Sequence, residues 1–458
     1  MRWRADLKSM VASRGWRAAV TPVALLAVLA AGFIFRYMLP PGAMSFAGGK
    51  AVALEDYAGP DPSGVPPSLA GASLIERGKY LTEAADCQAC HTAENGIPFA
   101  GGRAFRTGFG TLYSPNLTPD KETGLGDWTE ADFLRALHQG VAKDGSNLYP
   151  AFPYESYTLI TDADAKAIRA YLTSLPPVHA ETPANALIFP FNQRFLMAFW
   201  SFFYNPDTRF EPRPDRSPQW NRGAYLVEAL AHCGDCHTPR NLGQAPDNNR
   251  KFAGSPVDGW TAYNITQDQA SGIGNWSDDE IASYLKTGHA EGRGTAGGPM
   301  AEAVDVSLRK IAPSDIAAMV TYLRTIPRVT TPELPSITAK PAADMAEVVA
   351  GHSNPQGMAI FAGACASCHG WSGQSLIRSD ATLIGARSVN DPAGTNVALA
   401  ILTGISRPSP ALTMPSFRDA FSDREIAALA NYVTARFGSE PSDLNAKDIA
   451  ALRAQSAP

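Results

Sequence analysis

The cysteines constrain this chain more than any other feature. There are six in 458 residues, and they form three pairs of identical spacing, each followed at once by histidine. The runs are Cys87-Gln88-Ala89-Cys90-His91, Cys233-Gly234-Asp235-Cys236-His237 and Cys365-Ala366-Ser367-Cys368-His369. On a helical turn, residues i and i+3 share a face, so two thiols can reach the two vinyl groups of one porphyrin while residue i+4 meets its iron. This is the attachment sequence of c-type haem. Three such sites predict three covalently bound haems c, with His91, His237 and His369 as the proximal iron ligands. Zinc modules bring two Cys pairs to one metal, whereas these pairs lie in widely separated segments. A thioredoxin-like dithiol has no use for the adjacent histidine three times over. With every thiol paired in this way, the cysteine usage suits an exported protein.

Aligning the first site on the second reveals an internal repeat. Asn116, Leu117, Thr118, Asp120, Gly124, Gly126, Trp128, Asp132 and Gly140 match Asn264, Ile265, Thr266, Asp268, Gly272, Gly274, Trp276, Glu280 and Gly288. A third, shorter copy keeps only the ends: an attachment helix from Gly357 to His369 and a closing helix opened by Ser422-Asp423-Arg424-Glu425, a capping box. The equivalent closing helices run from Asp164 to Leu172 and from Asp315 to Leu323, with apolar residues at helical spacing. The expected organisation is a cytoplasmic tip and anchor over 1–40, haem domains over 73–175, 222–326 and 357–438, linkers over 176–221 and 327–356, and a tail over 439–458. The fold class this predicts is all-α, three tandem haem domains behind an N-terminal transmembrane helix. The first linker is rich in Pro and carries Phe189, Phe191, Phe195, Phe199, Trp200, Phe202, Phe203 and Tyr204. It reads either as a seam between domains or as a patch open to a partner or a bilayer surface.

An electron-transfer haem generally fills its sixth position, and Met opposite His raises the potential. Met300 follows Gly297-Gly298-Pro299 ahead of its closing helix, and Met414 stands before Pro415 in the same relation, so these are the expected ligands of the second and third irons. Met197, Met319 and Met358 are left to packing. The first domain departs from the pattern: Phe152 holds the aligned place. The only histidine within that unit besides His91 is His138, on a helix beginning at Thr129 whose apolar face is marked by Leu134, Leu137 and Val141. Bis-histidine ligation by His91 and His138 is the expectation, beside a five-coordinate iron or a ligand not visible in the pattern. A bis-histidine first haem should have the lowest potential of the three.

Ala18 to Phe35 is apolar apart from Thr21 and approaches the length needed to cross a ~30 Å hydrocarbon layer. Arg2, Arg4, Lys8, Arg14 and Arg17 against Asp6 leave the start in the cytoplasm and the rest outside. The expected place is the periplasmic side of a bacterial inner membrane, or the periplasm if the segment is a cleaved signal. The formal net charge is −5 and charged residues are 18% of the chain. That balance excludes nucleic acid as a partner, since such binding rests on Lys and Arg facing phosphates. No Gly-rich dinucleotide turn and no acid/base constellation points to a catalytic residue of its own.

Taken together the motifs resemble the triheme cytochrome c subunit of membrane-bound alcohol, gluconate, fructose and aldehyde dehydrogenases of Gram-negative bacteria. The resemblance is carried by Arg77-Gly78-Lys79-Tyr80-Leu81, Tyr113-Ser114-Pro115-Asn116-Leu117-Thr118-Pro119-Asp120, Arg222-Gly223-Ala224-Tyr225-Leu226, His237-Thr238-Pro239-Arg240-Asn241 and Tyr263-Asn264-Ile265-Thr266. It covers nearly all of residues 73–437. It implies class I-like cytochrome c domains and a separate catalytic subunit using pyrroloquinoline quinone, flavin or molybdopterin. Electrons would leave that subunit through the three haems to ubiquinone or another respiratory acceptor. Two other classes of function compete with this one: a haem enzyme, a peroxidase or sulfur-compound oxidoreductase working at an open first iron, and a sensor or scaffold without turnover.

Overall fold

The computed structural model describes residues 41–337, 354–407 and 412–456, with Leu26 and Gly32 before them. The first unit contains α1 (Leu74–Ala84), α2 (Cys87–Cys90), β1 (Ala104–Thr107), β2 (Gly110–Tyr113), α3 (Glu130–Gln139), α4 (Tyr154–Tyr157) and α5 (Asp162–Ser174). After it come β3 (Ala186–Leu187) and α6 (Leu196–Tyr204). The second unit contains α7 (Pro218–Ala224), a π-helical turn (Tyr225–Leu230), α8 (Cys233–His237), β4 (Ser255–Val257), β5 (Trp260–Ala262), α9 (Asp278–Thr287), β6 (His289–Ala290), β7 (Gly294–Thr295), α10 (Gly298–Val306) and α11 (Pro313–Leu323). The third contains α12 (Pro355–Ala364), α13 (Ala366–His369), α14 (Thr395–Thr403), β8 (Ile405–Arg407), β9 (Leu412–Met414), α15 (Asp423–Phe437) and, closing the chain, α16 (Ala446–Gln455).

Each unit is held by one helix crossing, and in each a glycine makes it possible. A Cβ on Gly78 would overlap the Ala167 carbonyl of α5, one on Gly223 the Ala318 carbonyl of α11, and one on Gly357 the Ala428 carbonyl of α15. Without a side chain the two backbones touch, and Tyr171, Tyr322 and Tyr432 close over the contact. Capping boxes set the helix starts at Ser73/Glu76, Thr129/Asp132, Ser277/Glu280 and Ser422/Glu425, each satisfying backbone N–H groups that the first turn leaves unpaired. Gly140 and Gly288 end α3 and α9 in the left-handed region. The first two units share one hydrophobic core and the third has its own.

Two parts of the expected fold class need correction. The described residues are not all-α: they include nine short strands in four small antiparallel sheets, in the orders β1-β2-β3, β4-β5, β6-β7 and β8-β9. At two to four residues each, these strands are too short to show a period of two in sequence. Nor is an N-terminal transmembrane helix present among the described residues, where no helix is long and apolar enough to cross a membrane. The longest, α15, has 15 residues with charged side chains along it. The run Ala18 to Phe35, on which that expectation rests, lies outside the described residues apart from Leu26 and Gly32.

The first linker is more ordered than a spacer, because β3 extends the β1-β2 sheet and α6 docks by one side. Trp200 Nε1 donates to the Gly243 carbonyl at 2.7 Å, and its ring meets Tyr154 edge-on at 5.6 Å. The same helix leaves Phe199 and Phe202 exposed, and Phe189 and Phe195 ahead of it are exposed as well. One side of the stretch therefore packs as a seam, and the other is exposed.

Candidate functional site

The three attachment sequences form the same local structure. Each Cys-to-His run is a single helical turn: the His91 N–H donates to the Cys87 carbonyl at 3.0 Å, the His369 N–H to Cys365 at 3.0 Å, and α8 runs from Cys233 to His237. In the first two units the chain enters that turn through a left-handed residue, Asp86 (φ 53°) and His232 (φ 36°). None of the six cysteines is paired in a disulfide. Burial pushes Cys87, Cys233 and Cys236 up to about 12 and Cys365 up to about 11.

The proximal histidines are oriented in one way three times. Nδ1 of His91 donates to the Pro115 carbonyl at 2.8 Å, that of His237 to Tyr263 at 2.6 Å, and that of His369 to Ala381 at 2.6 Å. Such a bond fixes the tautomer and leaves Nε2 with its lone pair free for a metal. Burial lowers all three imidazoles, His91 to about 4, so they stay neutral as ligands must. The residues thus fit a haem c in each unit, held by two thioethers and one imidazole.

The carbonyl acceptors are not legible as such in the sequence, although the repeat that positions them is. Asn116 Oδ1 accepts from the Thr118 N–H at 2.8 Å and its Nδ2 donates to the Val178 carbonyl at 2.7 Å. Asn264 repeats both bonds, with Thr266 at 2.8 Å and Val329 at 2.6 Å. Each Asn therefore ties down the loop immediately after the carbonyl that holds the histidine. The repeated Asp120 and Asp268 brace the same loops by accepting from the N–H groups of Thr123 and Ser271.

Of the expected sixth ligands, Met300 sits in the first turn of α10 and packs against the core shared by the first two units, while Met414 ends β9 against the third core. In the first unit Phe152 packs on Tyr157, with ring centroids 5.4 Å apart, and the Tyr157 hydroxyl donates to the Ala85 carbonyl beside the attachment turn. His138 is 2% exposed, and its Nε2 is buried with no hydrogen-bond partner. Burial, with Arg209 beside it, lowers this imidazole to about 4. Its Nδ1 lies 3.8 Å from Asp162, at the start of α5. Phe152 is thus tied through Tyr157 to the attachment turn, whereas His138 is set toward the head of the closing helix.

The attachment turns of the first two units lie against one another. His232 meets Tyr157 edge-on at 5.3 Å, Ser156 Oγ donates to Asp235 at 3.2 Å, and Arg103 bridges the Ala89 carbonyl and Glu302. Cys368, in contrast, is exposed.

The cytochrome c family profile matches residues 75–176 and 221–327, and that of cytochrome c oxidase, cbb3-type, subunit III matches 353–433. A nicotinate dehydrogenase subunit of Pseudomonas putida is 42% identical over 81% of this chain, which spans only 31% of that protein. The fructose dehydrogenase cytochrome subunit of Gluconobacter japonicus is 37% identical, over 85% of this chain and 84% of its own length. The gluconate 2-dehydrogenase cytochrome c subunit of Pantoea cypripedii is 35% identical, over 83% and 90%.

Proposed function

This chain belongs to the cytochrome c subunits of membrane-bound dehydrogenases, and from that premise we propose that it carries three haems c and relays electrons from a catalytic partner to ubiquinone or another respiratory acceptor. The observation that carries this reading is the threefold recurrence of one arrangement: two thiols on a helical turn and an imidazole locked through Nδ1 to a backbone carbonyl. The cysteines Cys87, Cys90, Cys233, Cys236, Cys365 and Cys368 hold the porphyrins. His91, His237 and His369 would ligate the irons, and Met300 and Met414 would be the further ligands of the second and third. A haem so held supplies a one-electron couple. The chain's own residues set its potential and bury it against water.

The partner is a dehydrogenase subunit using pyrroloquinoline quinone, flavin or molybdopterin, working on the periplasmic side of the bacterial inner membrane. For the first haem the proposed sixth ligand is His138, supported by a buried, neutral Nε2 that bonds to nothing else. A specific observation favours a second reading: Phe152 stands at the aligned position and packs on Tyr157. A five-coordinate first iron behind Phe152 would bind small ligands and open the way to haem enzymology.

Acid-acetone extraction of the purified chain, followed by a pyridine haemochrome assay, tests the cofactor. Three irons per chain must stay bound, and fewer would end the proposal. Copurification with a large dehydrogenase whose substrate reduces the haems, and oxidation by a ubiquinone analogue, test the relay.

A further inference from the structure

We propose that Trp260 is the residue through which electrons cross between the second and third haems. The inference rests on Met300 and Met414 being the sixth ligands. Trp260 opens β5, and its ring lies against the glycines that lead into Met300. A Cβ on Gly297 would come within 3.2 Å of the ring, and one on Gly298 would overlap it. Trp260 also packs against the core of the third unit, the same core that Met414 meets. Ile405, which pairs directly with Met414 in the β8-β9 hairpin, lies 3.7 Å from the same Cβ position on Gly297. The start of α10, which carries Met300, and the β8-β9 hairpin, which carries Met414, therefore approach each other across the seam, with the indole beside both.

The seam is fixed by polar contacts from β5 and the residue that follows it. The Thr261 N–H donates to Asn396 Oδ1 at 2.8 Å, and Asn396 Nδ2 returns to the Thr261 carbonyl at 2.9 Å. The Tyr263 hydroxyl donates to Asp391 at 3.0 Å, while its carbonyl holds His237. One short segment thus touches the distal loop of haem two, its proximal histidine and the third unit. The corresponding residue of the first repeat is Leu112, which is buried in an equivalent hairpin. The hairpin itself therefore does not require an aromatic, and the indole answers to the seam. In the step, one electron leaves a ferrous haem and reduces a ferric one, with no bond made or broken and no proton moved.

The test compares the holoprotein with W260L, which restores the residue of the first repeat, and W260F. After photoreduction, the rate of re-equilibration between haems two and three should fall in W260L and by less in W260F. Equilibrium potentials and the methionine-to-iron absorption should stay in place in both. Equal rates in all three proteins overturn the proposal, as do rates that merely follow shifted potentials. Absence of the methionine-to-iron absorption in the parent protein instead refutes the ligand assignment, whatever the rates.

Discussion

The Tyr80 hydroxyl, on the attachment helix of the first unit, donates to Asp315 Oδ2 at the head of the second unit's closing helix, at 2.6 Å. The repeat returns the bond in the opposite sense, for Tyr225 of the second unit donates to Asp164 of the first, also at 2.6 Å. Two homologous units therefore exchange tyrosines across their common core. Both carboxylates are buried and have further partners: Arg222 at 2.5 Å on Asp315 and the Gly64 N–H at 2.7 Å on Asp164. Losing either tyrosine hydroxyl leaves a buried carboxylate short of one donor.

Tyr80→Phe and Tyr225→Phe should each lower stability by about 1–3 kcal/mol, the cost of an unmet buried polar group. The two bonds are linked, since Arg222 donates both to Asp315 and to the Gly64 carbonyl while the Gly64 N–H donates to Asp164, so the double variant should depart from the sum of the singles. Urea unfolding of the holoprotein measures this. Unchanged midpoints would show that the exchanged tyrosines do not hold the units together.

Glu155 produces a pH dependence at the same seam. Both its carboxylate oxygens are buried without hydrogen-bond partners, and burial, reinforced by Asp235, raises its carboxyl well above the usual range. The folded protein therefore holds this proton more tightly than the unfolded chain. The stability it contributes is complete below the ordinary carboxyl value of 4.5 and is lost as pH rises through the raised one. Glu155→Gln removes that loss, so it should raise the unfolding midpoint at about pH 8 and change little near pH 5. A larger gain at the acidic end would contradict the sign.

How far the sequence can be read depends on how local each feature is. The attachment turns, the closing helices and the repeat lie within short windows, where Cys-x-x-Cys-His, helical periodicity and Ser422-x-x-Glu425 are legible. The Tyr80–Asp315 bond spans 235 residues and has no local signature. The hairpins around Trp260 and Met414 are too short to alternate visibly. The carbonyls of Pro115, Tyr263 and Ala381 carry no side-chain mark at all, yet they set the imidazole tautomers. His138 stands out by its helical face, but that pattern cannot tell which neighbour the face meets.

A contrast between two glycines of α12 tests the helix crossing. Gly357 sits against the Ala428 carbonyl, whereas a Cβ on Gly363 would meet nothing within 4 Å. Gly357→Ala should therefore cost about 1–3 kcal/mol through overpacking, and Gly363→Ala should gain roughly 0.5–1 kcal/mol through helix propensity. Thermal unfolding of the two variants separates these effects. A loss at Gly363 equal to that at Gly357 would dismiss close approach as the reason.

The sixth ligands make the most exacting prediction, because each variant should touch one haem only. Thioether opposite imidazole favours ferrous iron, so removing it lowers the potential. Met300→Ala should lower one midpoint potential, Met414→Ala a different one, and the remaining two should stay near their original values in each case. If His138 is the ligand, His138→Ala should leave the other two haems alone and convert the first from low spin to high spin. A redox titration followed by visible absorption resolves all three. If neither methionine variant moves a potential, the assignment fails. If the first haem keeps its low-spin spectrum without His138, that imidazole is not its ligand, and Phe152, packed on Tyr157, marks an iron ligated by other means.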